Sequence, residues 1–447
     1  MSIPELLQTL PAFAGRSGRE ISGELLPALK SPEQDLAVIH IAGTNGKGSV
    51  SVFLADFLSA GGLRVGRLTS PHLFDLRERI VFDGEMISPE DMEAIGRSVV
   101  RTASQMHLAT TMSDVLLAIA LFYFREKKAD AALLETGLGG RLDSTNAIRT
   151  VPRVTVLTRI GLDHTRYLGD TVQKIAAEKA AIIKHGTRLV LAADDPAADR
   201  VILEKASQEK VPVYRPEKDL PPEVLAVCEE QIRALSFSGT YQEENLKTAA
   251  MAALLFLEDV VLPPAEGKLP AEQLSDSCRF LLCQMIQKGA VKFRWPARLQ
   301  LLSENPPVIV DGAHNPQGAQ ALCRSLSMRY PGQSFCFVIG MLADKDCEGF
   351  FRQIRGLASE LILTSFDDPR AASLDTLLSD FKKETDGFFM TQTSETCLVR
   401  TADSPAEAAA IAEQEKQTGA GVVFCGSLHF AAEILRICEG KSEGQRI

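Results

Sequence analysis

Two α/β domains are predicted for this chain: a larger amino-terminal one with a mostly parallel sheet and a phosphate loop, and a smaller, doubly wound carboxy-terminal one. Three observations predict them. An apolar, β-prone run, Val38 to Ala42, breaks into Gly43-Thr44-Asn45-Gly46-Lys47-Gly48-Ser49 and then into a helix. Short apolar runs alternate with helical stretches along the rest of the chain, as strand–helix–strand units require. A length of 447 residues exceeds one ordinary core, and the junction falls near Trp295-Pro296, giving domains 1–296 and 297–447.

The glycine-rich stretch is suited to phosphate. Gly43, Gly46 and Gly48 let consecutive N–H groups converge on a polyphosphate, the following helix adds its N-terminal dipole, and Lys47 reaches the outer phosphates. Val50, Phe53, Leu54, Phe57 and Leu58 recur at helical spacing, and Gly61-Gly62 supplies the stop. The strict pattern G-x-x-x-x-G-K-[ST] is not met, because Ile41 stands at its first glycine and Gly48 separates Lys47 from Ser49. The stretch is a compressed variant. A plain glycine turn of any α/β protein is the alternative, and the lysine among the glycines argues against it.

Hydrophobic content of 45% with 24% charged residues is that of a globular protein, and a net charge of -10 argues against sequence-independent binding to nucleic acid or anionic membrane. The nine cysteines are scattered and never form C-x-x-C, which fits reduced thiols in the cytoplasm. No apolar run approaches the roughly 18 residues of a membrane span, and no leader pattern precedes the first domain.

Residues 1–37 read as helix and loop. Leu63 to Thr69 is a second strand ending at Ser70-Pro71-His72, at the carboxyl edge where open α/β sheets bind ligands. Residues 73–87 mix acid and base: Arg77 and Arg79 hold a carboxylate or phosphate, or belong to a solvated loop. A helix near 112–127 leads to the buried strand Ala131 to Leu134 and to Glu135-Thr136-Gly137-Leu138-Gly139-Gly140-Arg141-Leu142-Asp143. Glu135 is placed either to hold Mg²⁺ or to serve as a cap or surface residue. The strand Val154 to Thr158 ends at Arg159-Ile160-Gly161-Leu162-Asp163-His164, which puts His164 at the same edge.

In a helix from about Thr171 to Lys184, the residues Val172, Ile175, Ala176, Ile182 and Ile183 form an apolar stripe, and Lys179 falls on it. An ammonium there is paired, deprotonated, modified, or snorkels with its stem over apolar surface. Strands near 188–193 and 211–214 extend the sheet, 216–240 reads as loop with a small β element, and Gln242-Glu243-Glu244-Asn245 opens a helix to about Leu257. A surface connection follows at 262–273. The second half alternates again: Val308-Ile309-Val310 into Asp311-Gly312-Ala313-His314-Asn315-Pro316, Ser334 to Leu342 into Ala343-Asp344-Lys345-Asp346, then Leu361 to Phe366, and Val422 to Cys425 into Gly426-Ser427-Leu428. This is a Rossmann-like pattern.

Seven stretches, Gly43 to Ser49, Ser70-Pro71-His72, Glu135 to Asp143, Gly161 to His164, Glu178-Lys179-Ala180, Asp311 to Pro316 and Gly426 to Leu428, occur in the order and approximate spacing of one family. The sequence closely resembles the folylpolyglutamate synthase and dihydrofolate synthase family of the Mur ligase superfamily, over residues from about 38 to 435. That resemblance implies an ATP-dependent ligase that phosphorylates a folate-type carboxylate and lets the amine of L-glutamate attack the acyl phosphate. It implies ATP on residues 43–49, a first Mg²⁺ on Ser70 and Glu135, a second on His164, and a carbamoylated Lys179. It also implies nucleotide contacts from Asn245, Arg298 and Asp311, and places His314 close to the transferring phosphate. Asp143 resembles a pterin-recognition position, with Arg77 and Arg79 in the substrate loop.

The expected acceptors are dihydropteroate and reduced folates, and the expected state is a monomer. A polyglutamate synthase only, or a cell-wall precursor ligase of the same superfamily, is the alternative. Three departures stand out. Thr111-Met112-Ser113-Asp114 replaces the usual Thr-x-Phe-Glu, removing an aromatic wall expected near the folate pocket, and Ala181 and Ala297 replace glycines.

Overall fold

The computed structural model describes residues 1–11, 14–192, 195–235, 239–261, 276–385, 397–417 and 419–440; the connection expected at 262–273 lies outside them. Two compact units are formed. The first comprises Met1–Gly161, Leu168–Leu235 and Gln242–Phe293, and the second Leu162–Tyr167, Ser236–Tyr241 and Arg294–Ile447. Two short segments therefore join the second unit although they precede residue 296 in the chain.

Among the described residues the first unit holds eight strands: β1 (Val38–Ala42), β2 (Val65–Leu68), β3 (Ile80–Phe82), β4 (Glu85–Met86), β5 (Ala131–Glu135), β6 (Val154–Leu157), β7 (Arg188–Leu191) and β8 (Val213–Tyr214). Their order is β4-β3-β2-β5-β1-β6-β7-β8, with every pairing parallel except β2–β3 and β3–β4. Alternate residues feed opposite faces. Ile39, Ile41, Leu133 and Val156 pack with the helices Lys47–Ala60, Thr240–Val261 and Asp276–Ala290. Val38, Leu68, Ala132 and Leu134 pack with Pro89–Gln105 and Met112–Glu126. Burial on both faces explains why these strands read as continuous apolar runs.

The second unit adds β9 (Gln300–Glu304), β10 (Pro307–Val310), β11 (Phe335–Ile339), β12 (Ala358–Thr364), β13 (Leu398–Ala402) and β14 (Gly421–Cys425), ordered β13-β12-β11-β14-β10-β9. Only β9 runs antiparallel among them. Phe335, Phe337, Phe350 and Phe351 fill the core on one side. Two α/β units with mostly parallel sheets are thus present, as predicted.

Several local expectations are corrected. Where loop and a small β element were expected over 216–240, Pro222–Ala234 is a helix that buries Val224, Cys228 and Ile232, and residues 236–238 lie outside the described residues. Residues 73–87 contain a short 3₁₀ turn, Leu76–Arg79, and the β3–β4 hairpin. The helix of Lys179 ends at Ala180, short of Lys184. All nine cysteines are free, and no helix among the described residues is long and apolar enough to cross a membrane.

Candidate active site

Strand order alone brings the motif residues of the first unit to one edge. β2, β5, β1 and β6 are consecutive neighbours, so Ser70, Glu135, the phosphate loop and Thr158-Arg159 all follow adjacent carboxyl ends. The loop conformation requires its glycines: Gly43 has φ 155° and Gly46 has φ 92°. A Cβ on Gly43 would stand 1.8 Å from Thr158 Oγ1, and one on Gly46 2.4 Å from Asn245 Oδ1. The loop is braced from β6, with Thr44 N donating to Arg159 O at 2.8 Å and Thr158 Oγ1 donating to Asn45 O at 2.8 Å.

Lys47 Nζ donates to Gly43 O at 3.0 Å and Thr44 O at 3.3 Å. Lys179, 4% exposed, donates to the same Gly43 O at 2.8 Å. Lys179 is therefore no snorkelling surface lysine; its ammonium is turned inward onto the loop. Gly140 explains how its helix comes so close, since a Cβ there would stand 2.7 Å from Glu178 O.

Glu135, 4% exposed, ends β5 beside Ser70 of the β2 edge. Carboxylate and hydroxyl are hard oxygen donors of the kind Mg²⁺ takes. Among the described residues no three His, Cys, Asp or Glu side chains form a metal cluster. Half-buried Arg67 and Arg79 direct positive charge at Glu135, and desolvation holds both guanidiniums below their ordinary range.

Three substrate candidates have local partners. Asp75 takes Arg77 in a forked pair, with Nε at 3.0 Å and Nη2 at 2.6 Å from Oδ2. Arg79 Nε donates to His72 Nδ1 at 2.9 Å. Asp143 accepts from Gly137 N, Leu138 N, Thr145 N and Thr145 Oγ1 at 2.9, 3.0, 3.0 and 2.6 Å, so its carboxylate shapes the glycine-rich loop. Burial raises its pKa against those bonds. Behind it, His40 Nε2 lies 2.8 Å from Thr145 Oγ1. Thr111 caps the helix Met112–Glu126 with Asp114 in a capping box, leaving Ser113 exposed. Asn245 Nδ2 donates to Gln242 Oε1 at 3.1 Å.

In the second unit, Asp163 is a hub the sequence reading missed. It accepts from Lys345 Nζ at 2.6 Å and Asn315 Nδ2 at 3.1 Å, and faces His314 Nε2 at 3.3 Å. Burial alone would raise its pKa; the His314 bond and the charges of His314, Lys345 and His164 hold it well below the usual carboxylate range. Lys345 Nζ also lies 3.4 Å from His164 Nε2. Burial, opposed by Asp163 and aided by Lys345 and His314, lowers His164 to about 4, which keeps the ring neutral at neutral pH. His314 Nδ1 is 2.8 Å from Gly312 O.

Asp311 accepts from Tyr241 Oη, Leu299 N and Ala313 N, each at 2.8 Å. Burial and the Asp311 charge push Tyr241 well above its ordinary range. Arg298 Nη1 donates to Ala297 O at 2.9 Å. The two alanine departures differ: Ala181 caps the helix end with an ordinary right-handed φ of -64°, whereas Ala297 has φ 56°, a left-handed conformation that costs a non-glycine residue about 1 kcal/mol or more. Asp163 and Lys345 were signalled only by their place at strand ends in Gly161 to His164 and Ala343 to Asp346.

Residues 41–220 match the Mur ligase middle domain, and 297–428 the Mur ligase glutamate ligase domain. A dihydrofolate synthase/folylpolyglutamate synthase of Bacillus subtilis (strain 168) is 32% identical over 441 residues, covering 94% of this chain and 95% of that one. The structure of Mycobacterium tuberculosis folylpolyglutamate synthase complexed with ADP and AMPPCP superposes with a TM-score of 0.79 at 28% identity, over 97% of both chains. That of the bifunctional Yersinia pestis enzyme complexed with AMPPNP and Mn ion does so with a TM-score of 0.76 at 25% identity, over 98% of both. With motifs, fold and nearly full-length identity in agreement, the chain belongs to the folylpolyglutamate synthase/dihydrofolate synthase family of Mur ligases.

Proposed function

We propose that this chain joins L-glutamate to dihydropteroate and to reduced folates, cleaving ATP to ADP and phosphate. The observation that carries the reading is the sheet edge of the first unit, where a phosphate loop, a serine hydroxyl, a buried carboxylate and an inward-turned lysine follow adjacent strands. A carboxylate is a poor electrophile at neutral pH. Transfer of the γ-phosphoryl group makes an acyl phosphate; the glutamate amine attacks its carbonyl carbon, the C–O bond to phosphate breaks, and the amine loses a proton. Such chemistry needs positioning and charge neutralisation more than a side-chain nucleophile.

Loop amides from Gly43 to Ser49 and Lys47 bind the β- and γ-phosphates, and Asn245, Arg298 and Asp311 bind the rest of the nucleotide. Ser70 and Glu135 would hold a first Mg²⁺, and neutral His164 a second, where the Lys345 ammonium supplies a cation in this structure. The bound ions would neutralise charge developing on the phosphoryl oxygens. Carbamoylation of Lys179 would convert its buried ammonium into an anion. His314 serves the phosphoryl group and the incoming amine, while Arg77, Arg79 and Asp143 shape the folate side. The working form is a cytoplasmic monomer without nucleic acid, divided at residues 296 and 297.

The test is phosphate release from Mg-ATP with glutamate, offering dihydropteroate, tetrahydrofolate or a UDP-linked cell-wall precursor, with products weighed by mass spectrometry. Glutamate-dependent release with both pterins is expected. Release with tetrahydrofolate alone narrows the activity to a polyglutamate synthase, and release only with the cell-wall precursor overturns the folate reading.

A further inference from the structure

An ion pair at the base of the phosphate loop has no part in the steps above. Arg159 Nη2 donates to Glu244 Oε1 at 2.6 Å, and its Nε lies 2.6 Å from Glu244 Oε2, an ion pair closed by one hydrogen bond that joins residues 85 apart in sequence. Each partner belongs to a stretch that grips the loop. The Arg159 carbonyl accepts from Thr44 N at 2.8 Å and from Asn45 N at 3.4 Å. Glu244 precedes Asn245, the residue standing against Gly46, and the Glu244 carbonyl accepts from Thr248 Oγ1 at 2.6 Å. The far end of that helix is fixed separately: Arg188 pairs with Glu258 at 3.0 Å and with Asp259 at 2.9 Å. Arg159 and Glu244 therefore tie the β6 side of the loop to the helix side.

We infer that Arg159 and Glu244 are positioning residues for the nucleotide, their ion pair setting the spacing of the two elements that hold Thr44 to Gly46 and so pre-forming the phosphate cradle. The inference rests on the reading of 43–49 as the nucleotide-phosphate loop. Pre-forming a cradle removes an ordering cost from binding. Losing the ion pair therefore weakens nucleotide affinity while leaving glutamate, folate and the fold alone.

The experiment uses the full chain with Mg²⁺ and a non-hydrolysable ATP analogue, titrated calorimetrically into Arg159→Met, Glu244→Gln, the double variant, Arg159→Lys and Lys47→Ala. Melting temperatures and the KM values for ATP, glutamate and tetrahydrofolate are measured alongside. Each single variant is expected to weaken the analogue about five- to tenfold, and the double variant no more than either single. KM for glutamate and tetrahydrofolate stays within about twofold, melting stays close to the parent, and Arg159→Lys recovers part of the loss.

Unchanged analogue affinity in both single variants, with binding lost in Lys47→Ala, overturns the positioning role alone. Additive losses overturn the pairing, and parallel losses in every KM and in melting overturn a role specific to the nucleotide. Unchanged binding in Lys47→Ala overturns the loop reading itself.

Discussion

Replacing Asp114 by asparagine separates a folate-contacting residue from a keystone of the fold. Asp114 is fully buried, and its carboxylate accepts four hydrogen bonds: Ser22 Oγ and Ser144 Oγ at 2.7 Å on Oδ1, and Thr111 N at 2.9 Å and Thr111 Oγ1 at 2.7 Å on Oδ2. The packing around it is tight, since a Cβ on Gly18 would stand 2.3 Å from Ser144 Oγ and 3.3 Å from Asp114 Oδ1. Asparagine keeps the shape but loses the charge and sets an amide NH₂ against hydroxyl donors. Bonds to a charged acceptor are roughly twice as strong as neutral ones, so each of the four loses about 0.5 to 1 kcal/mol, together about 2 to 4 kcal/mol. For a unit of this size that lowers the melting temperature by about 4 to 8 °C. The assay pairs thermal unfolding with KM for dihydropteroate and tetrahydrofolate, taken well below the transition. A clear drop in melting with KM unchanged is expected. An unchanged melting temperature together with a large rise in pterin KM would falsify the assignment and make Asp114 a ligand contact.

Two further outcomes follow from buried bases. His40 is lowered to about 3 by burial and by the Lys184 charge, against 6.5 unperturbed, and its Nδ1 has no hydrogen-bond partner. Because the folded pKa lies below the unfolded one, the unfolded state binds the extra proton as pH falls. Stability is full above about 6.5 and drains away toward about 3, by at most about 1.4 kcal/mol per pH unit. His40→Gln keeps a donor to Thr145 and removes the titration, so urea unfolding from about pH 7 to about pH 5 should show the parent losing its lead. Parallel curves would contradict this. Lys179→Arg is expected to lower turnover by about a hundredfold with near-parental melting; unchanged turnover would show that the lysine is merely structural.

What the sequence disclosed followed physical contrast. A buried parallel strand is a continuous apolar run, and a phosphate loop requires glycines, so Val38 to Ser49 and Ala131 to Asp143 were legible. The helix Pro222–Ala234 was not: Val224, Leu225, Val227, Cys228 and Ile232 recur at helical spacing, but Pro221-Pro222 at its start read as loop. β9 and β13 were missed for a related reason: as margins of their sheet they are half exposed and carry Gln300, Glu304 and Arg400. Arg77 and Asp143 look alike in sequence to any charge poised for a ligand; only geometry shows that Asp75 and the 137–138 amides already engage them. Asp163 and Lys345 lie 182 residues apart, beyond the reach of any local pattern.

The two-residue margins of the larger sheet, β4 and β8, bear on how the molecule behaves when crowded. A stray strand laid along either could form scarcely a rung of ladder, and β4 opens with a carboxylate, Glu85, so this sheet ends its own growth. The five-residue margins of the smaller sheet leave a longer template, with charge on Glu304 and Arg400 as the deterrent. Screening those charges with salt would therefore make the smaller sheet, rather than the larger one, the place where unwanted strand addition begins.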